Sequence, residues 1–126
     1  MNYLIDTHVL IWVLREPDLL SGTVQRLLED RDNQILVSAG TAYEIEFKRP
    51  RSVDIQELPA DLHAGVAGLG FEWLPITPEH ALLAGRLPRL HGDPFDRLIV
   101  AQALIEQATL ISRDGLLAPY GAPVIW

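Results

Sequence analysis

What most restricts this chain is the way short apolar runs alternate with helical stretches. Tyr3-Leu4-Ile5, Gln34-Ile35-Leu36-Val37, Phe71 to Ile76, Thr109-Leu110-Ile111-Ser112 and Val124-Ile125-Trp126 are each brief and dominated by aliphatic and aromatic side chains. Runs this short, apolar on both faces, read as strands buried on both sides. Their alternation with helices predicts an α/β layer fold around a mostly parallel sheet of about five short strands. In such sheets the crossovers are right-handed and ligands collect outside the carboxyl ends of the strands.

The intervening stretches carry helix signals. Thr7 to Leu14 is apolar almost all round and is halted near Pro17. Ser21 can cap a second helix to about Arg31, with Val24, Leu27 and Leu28 on its inner face. Ser38 can cap a third through Phe47, stopped by Pro50, with Thr41, Glu44 and Lys48 on roughly one face. Leu58, Leu62, Val66 and Leu69 have helical spacing. Pro75 marks the Phe71–Ile76 strand as an edge. Thr77-Pro78 starts a helix to about Arg86, and Asp93-Pro94 starts another. On this last helix Asp96 shares a face with Ile99, Val100 and Ala103, so the face that packs inward carries a carboxylate with it.

The 126 residues fit one domain, 1–126, and 48% of them are apolar, which excludes a disordered chain. There is no cysteine, so disulfides, thiolate metal sites and a cysteine nucleophile are excluded, and a reducing cytoplasm is the expected location. The start lacks the basic region of a signal peptide, and no apolar run approaches the ~20 residues needed to span a bilayer. The net charge of −7 taken alone argues against a nucleic-acid binder. The basic residues are nearly all arginine. Lys48, Arg49 and Arg51 form one cluster and Arg86, Arg89 and Arg97 a looser one, suited to phosphate contacts or to surface ion pairs.

The acids carry the chemistry. Asp6 ends the first strand and Asp114 lies just past the fourth, so the pattern places both at the carboxyl edge of the sheet. Glu44 can reach that edge because its helix starts there. Asp93 and Asp96 open the helix before the fourth strand and read equally well as a capping pair or as part of a site. Glu16, Asp18, Glu29, Asp30, Asp32, Asp54, Glu57 and Asp61 fall in polar turns or on helix exteriors and belong to the surface.

Two carboxylates ~4 Å apart repel by about 4 kcal/mol at an effective dielectric near 20, so a cluster needs a proton, a basic partner or a cation. Oxygen-only ligands point to a hard cation, Mg²⁺ or Mn²⁺. Such ions support attack of water on a phosphodiester. Ser38 and Ser112 sit at the same edge and read as caps or as groups orienting a carboxylate, water or phosphate. His8 reads as structural. His91 reads as a loop histidine, with approach to phosphate as the other possibility. No Ser-His-Asp order, phosphate-cradling glycine loop or zinc-protease motif is present.

With these acids placed, the chain resembles the PIN-domain ribonucleases, specifically the VapC toxins of bacterial toxin–antitoxin pairs. The resemblance rests on Leu4-Ile5-Asp6-Thr7-His8-Val9-Leu10-Ile11-Trp12, on Val37-Ser38 through Glu44 to Lys48, on His91-Gly92-Asp93-Pro94-Phe95-Asp96-Arg97-Leu98-Ile99-Val100-Ala101-Gln102-Ala103, and on Leu110-Ile111-Ser112-Arg113-Asp114. It implies an α/β/α sandwich and an acidic catalytic and metal site of Asp6, Glu44, Asp96 and Asp114 binding Mg²⁺ or Mn²⁺, with Asp93 and Ser112 as auxiliaries. It implies an endoribonuclease that forms homodimers and is silenced by a cognate VapB-like antitoxin in a hetero-oligomer. RNA is then expected on Lys48, Arg49, Arg51 and Arg97, with Arg97 equally suited to a structural pair. The apolar residues near the first helix and around Pro59 to Leu69 would receive the antitoxin, whose basic side chain would enter the acidic pocket. Arg49-Pro50-Arg51-Ser52-Val53 departs from the family pattern by lacking a glycine-containing turn.

Other classes remain to be separated by experiment: a metal-dependent phosphatase or other non-toxin phosphoesterase, a DNA nuclease, or a non-catalytic Mg²⁺-binding interaction module. The haloacid-type phosphatase pattern wants an aspartate where His8 stands. A receiver-type signalling domain wants a lysine near the last strand, and Lys48 is the only lysine.

Overall fold

Strand β1 (Asn2–Ile5) is the middle of the sheet. The structure is a computed structural model that describes residues 1–90 and 92–126; the loop reading of His91 lies outside the described residues. On one side of β1 lie β2 (Gln34–Ser38) and, at the edge, β3 (Glu72–Leu74); on the other lie β4 (Thr109–Ile111) and β5 (Val124–Ile125). Every pairing among the described residues is parallel. Pro75 directly follows β3, which does stand at an edge.

The continuous apolar runs are explained by two cores. Tyr3, Ile5, Ile35, Val37 and Ile111 face one side; Leu4, Leu36, Leu74 and Leu110 face the other. Successive strand residues point to opposite faces, so both parities must be apolar when helices cover both. The first face is covered by α1 (Thr7–Arg15), α2 (Gly22–Glu29), α3 (Ala39–Lys48), α4 (Val53–Gln56) and α5 (Leu62–Gly68), through Val9, Leu10, Val24, Ile45, Ile55, Leu62 and Val66. The second is covered by α7 (Pro94–Glu106) and a 3₁₀ turn (Gly115–Tyr120), through Ile99, Val100, Ala103, Leu117 and Tyr120. Helix α6 (Pro78–Arg86) packs on α7, and its buried His80 bonds to Glu106 at 3.0 Å. The result is the α/β/α sandwich. No helix of the described residues is long and apolar enough to cross a membrane.

Several boundaries differ from the sequence reading: the strand read over Phe71 to Ile76 spans Glu72–Leu74, and two helices begin or end elsewhere. The helix expected from Leu58 starts at Leu62, capped by Asp61. The Arg49 guanidinium gathers the carbonyls of Ile55, Leu58 and Pro59, the first of which also accepts from the Leu58 amide at 3.1 Å, and so holds this stretch as a turn ahead of the helix. Helix α2 ends at Glu29 because the Asp30 side chain accepts from the Asp32 amide and closes a turn. The eight acids assigned to the surface are all exposed.

Strand order reverses at β1: the chain winds outward through β2 and β3, then returns to place β4 on the opposite side. The cleft outside the carboxyl ends of β1 and β4 is therefore the switch point where such sheets bind ligands.

Candidate functional site

Asp6 leaves β1 in extended conformation and caps α1, its Oδ1 accepting from the Val9 amide at 2.8 Å. Its own amide bonds to the Ile111 carbonyl at 3.1 Å, fixing it against β4. In-register pairing of Ile5 with Ile111 puts Ser112 beside Asp6, and the Ser112 hydroxyl donates to Asp6 Oδ2 at 2.5 Å. The same hydroxyl accepts from the Asp114 amide at 3.0 Å, while Asp114 caps the next turn through Leu116 at 2.9 Å. Burial holds the Asp6 carboxyl above the usual aspartate range; the bonds from Ser112 and Val9 and the field of His8 oppose this, and the charge of Asp114 adds to it.

Asp96 stands in the first turn of α7, after Asp93 caps that helix through the Phe95 amide at 2.9 Å. Asp6, Asp96 and Asp114 line one cavity of about 390 Å³, together with His8, Trp12 and Arg113. The structure thus brings three of the four expected acids to one opening. Glu44 is not among that lining. It is buried on α3, with Thr7 Oγ1 donating to its Oε1 at 2.6 Å and Lys48 Nζ to its Oε2 at 2.5 Å. Its bond to Glu44, and next the charges of Glu44, Asp93 and Asp96, hold the Lys48 ammonium in its charged form against partial burial. A proton-favouring environment on Asp6 and an ammonium on Glu44 are two ways of relieving a carboxylate cluster.

Gly40 lets these parts approach: a Cβ there would sit 3.0 Å from Leu98 of α7 and 3.2 Å from Ser38 Oγ. Ser38 itself is fully buried and caps α3 through the Gly40 amide at 2.9 Å.

The expected RNA contacts divide. Arg51 is exposed, its guanidinium 5.7 Å from the Phe47 ring centre. The Lys48 ammonium is on Glu44. Arg49 pairs with Glu46 at 2.9 Å besides its three carbonyls. Arg97 donates to the carbonyls of Ala84, Gly85 and Leu87, fastening the end of α6 to α7.

His8 was read as structural from sequence and is instead exposed on the cavity. An N-cap side chain folds back over the first turn of its helix, so Asp6 lies above Thr7 and His8 rather than pointing away from them. Trp12 and Arg113 were also missed, although Arg113 stands between Ser112 and Asp114 at the same edge.

The donor chemistry, three carboxylates and no sulfur, fits a hard divalent cation. Among the described residues no three Asp, Glu or His side chains are gathered to coordination distance, so the acids form a rim and not a closed shell.

The PIN domain family model matches residues 3–120. The chain is 29% identical over 121 residues to ribonuclease VapC22 of Mycobacterium tuberculosis, covering 95% of this chain and 92% of that protein. Among solved structures it is similar to VapBC2 from Rickettsia felis bound to a promoter DNA fragment, with TM-score 0.75 and 17% identity over 99% of this chain and 98% of that one. It is likewise similar to FitAcB from Neisseria gonorrhoeae, with TM-score 0.70 and 22% identity over 98% and 96%. A toxin–antitoxin complex from Klebsiella pneumoniae gives TM-score 0.65 at 22% identity over 98% and 96%. The family match runs from the first strand through the turn that follows Asp114, and the chain belongs to the PIN domain family.

Proposed function

We propose that this chain is a Mg²⁺- or Mn²⁺-dependent endoribonuclease toxin of the VapC type, held inactive by a cognate antitoxin. The observation that carries the reading is the single cavity lined by Asp6, Asp96 and Asp114 at the switch point of the sheet. The resemblance to a protein named as a ribonuclease supports the choice of RNA.

In this reading Asp6, Asp96 and Asp114 hold the divalent ion. When bound, the ion supplies positive charge against the phosphate oxygens and makes a water molecule more acidic. The chain's own residues do the rest. Ser112 fixes the orientation of Asp6 while anchoring the Asp114 backbone. Thr7 and Lys48 hold Glu44 on α3, and the ammonium offsets its charge while also facing Asp93 and Asp96. Asp93 orders the first turn of α7 and so sets the position of Asp96. The three carboxylates repel a phosphodiester placed among them until a cation is present, which makes catalysis depend on loading.

The same negative cavity would accept an arginine from a partner protein, bidentate on two carboxylates. A structural relative described as a toxin–antitoxin complex supports that partnership, and residues 1–126 are proposed to act as one domain, as a homodimer in the cytoplasm.

Cleavage of single-stranded RNA, single-stranded DNA and a small phosphate ester, each with and without Mn²⁺, tests the activity. Cutting confined to RNA with metal is expected; cutting confined to DNA or the ester would replace the reading. Co-expression with the adjacent small reading frame tests the partner: growth arrest by the chain alone, relieved by a co-purifying neighbour, is expected.

A further inference from the structure

One wall of the cavity is not acidic. His8, exposed on the first turn of α1, and Trp12, one turn later, have ring centres 6.0 Å apart with planes inclined at 47°. Trp12 is in turn braced edge-on by Trp126 at 5.5 Å. Arg113, exposed on the loop between Ser112 and Asp114, lines the same cavity. Among the described residues neither His8 nor Arg113 has a hydrogen-bond or ion-pair partner. An exposed ring on a braced aromatic support and an uncommitted guanidinium thus flank a rim that repels phosphate.

These are the two elements used to hold single-stranded nucleic acid: a π-face on which any base can stack, and a cation for the backbone. We infer that His8, Trp12 and Arg113 form a subsite for single-stranded RNA beside Asp6, Asp96 and Asp114, His8 and Trp12 stacking one unpaired base and Arg113 holding an adjoining phosphate. The inference rests on the endoribonuclease reading and deepens it. Attachment through base and neighbouring phosphate answers the objection raised by the overall charge of −7, because the scissile phosphate need not be the group that brings RNA to the site. A base already stacked inside a duplex cannot use the wall, so the subsite selects unpaired RNA.

The test uses the full chain with Asp96→Asn, so that the RNA survives, and fluorescence anisotropy in Mg²⁺. The probes are a short labelled oligouridylate and its abasic counterpart of equal length and charge. The intact probe is expected to bind about fivefold tighter or more. His8→Ala removes that preference and His8→Phe keeps it. Arg113→Gln weakens both probes alike and lowers the salt slope by about 0.7, the share of one phosphate contact on a single strand. Equal binding of the two probes, or a preference unchanged by His8→Ala, overturns the subsite. The nuclease reading fails separately, if the wild-type chain leaves RNA uncut in both Mg²⁺ and Mn²⁺.

Discussion

Ser112 and Asp6, 106 positions apart, share a 2.5 Å hydrogen bond that joins the ends of two neighbouring strands. The hydroxyl also accepts the Asp114 amide, so one small side chain orients one carboxylate and anchors the loop of another. Ser112→Ala leaves a buried carboxylate oxygen without its donor, at a cost of about 1–3 kcal/mol. Urea unfolding should show that loss, and Ser112→Thr should restore most of it. Unchanged stability in Ser112→Ala would mean that this bond carries no weight.

Burial raises the Asp6 carboxyl above 3.8, against the bonds from Ser112 and Val9. Between the ordinary aspartate range and the raised native value, the folded chain binds more protons than the unfolded one. Stability attributable to Asp6 is therefore full in acid and falls as pH rises through that window. In EDTA, Asp6→Asn should be more stable than wild type near neutral pH, because the cost of burying the ionised carboxyl is then gone. The difference should vanish in acid. A variant less stable than wild type at neutral pH would contradict the account.

Lys48 is the only described ammonium or guanidinium on the buried Glu44. Lys48→Met leaves that carboxylate with the Thr7 hydroxyl but no cation, and because Lys48 is itself half-exposed a loss of about 1–3 kcal/mol is expected. Adding Glu44→Gln should recover most of it, because the stranded charge is then gone. Additive losses in the double variant, read by chemical unfolding, would show that the two side chains are not coupled.

Arg97 distinguishes structure from RNA contact. Its guanidinium already donates to the Ala84, Gly85 and Leu87 carbonyls. Arg97→Gln should lower stability by about 1–3 kcal/mol and leave the salt slope of RNA binding unchanged. A slope reduced with stability intact would return Arg97 to the phosphate-binding set.

Much of this was legible because it follows from chain-local patterns. The buried strands, the caps at Ser38, Thr77 and Asp93, and the edge position forced by Pro75 all come from neighbours in sequence. The placement of Asp6 and Asp114 at one edge followed from strand ends alone. The rest depended on contacts between distant residues. Nothing near Glu44 in sequence announces Thr7, and nothing near Arg49 announces that it will take the Leu58 and Pro59 carbonyls and delay α5. The place of His8 on the cavity goes with Asp6 capping the helix that carries it, a geometry that the sequence does not display.

The most direct measurement is cleavage of a single-stranded RNA by the wild-type chain and by Asp96→Asn, each with Mg²⁺, Mn²⁺ or EDTA, alongside thermal unfolding of both. Wild type should cut only with metal. Asp96→Asn should keep its fold and lose about 100-fold or more in rate, the scale of removing a group that stabilises transition-state charge. Cleavage by Asp96→Asn at the wild-type rate, or wild-type cleavage indifferent to EDTA, would contradict the assignment of the acidic cavity as the catalytic site.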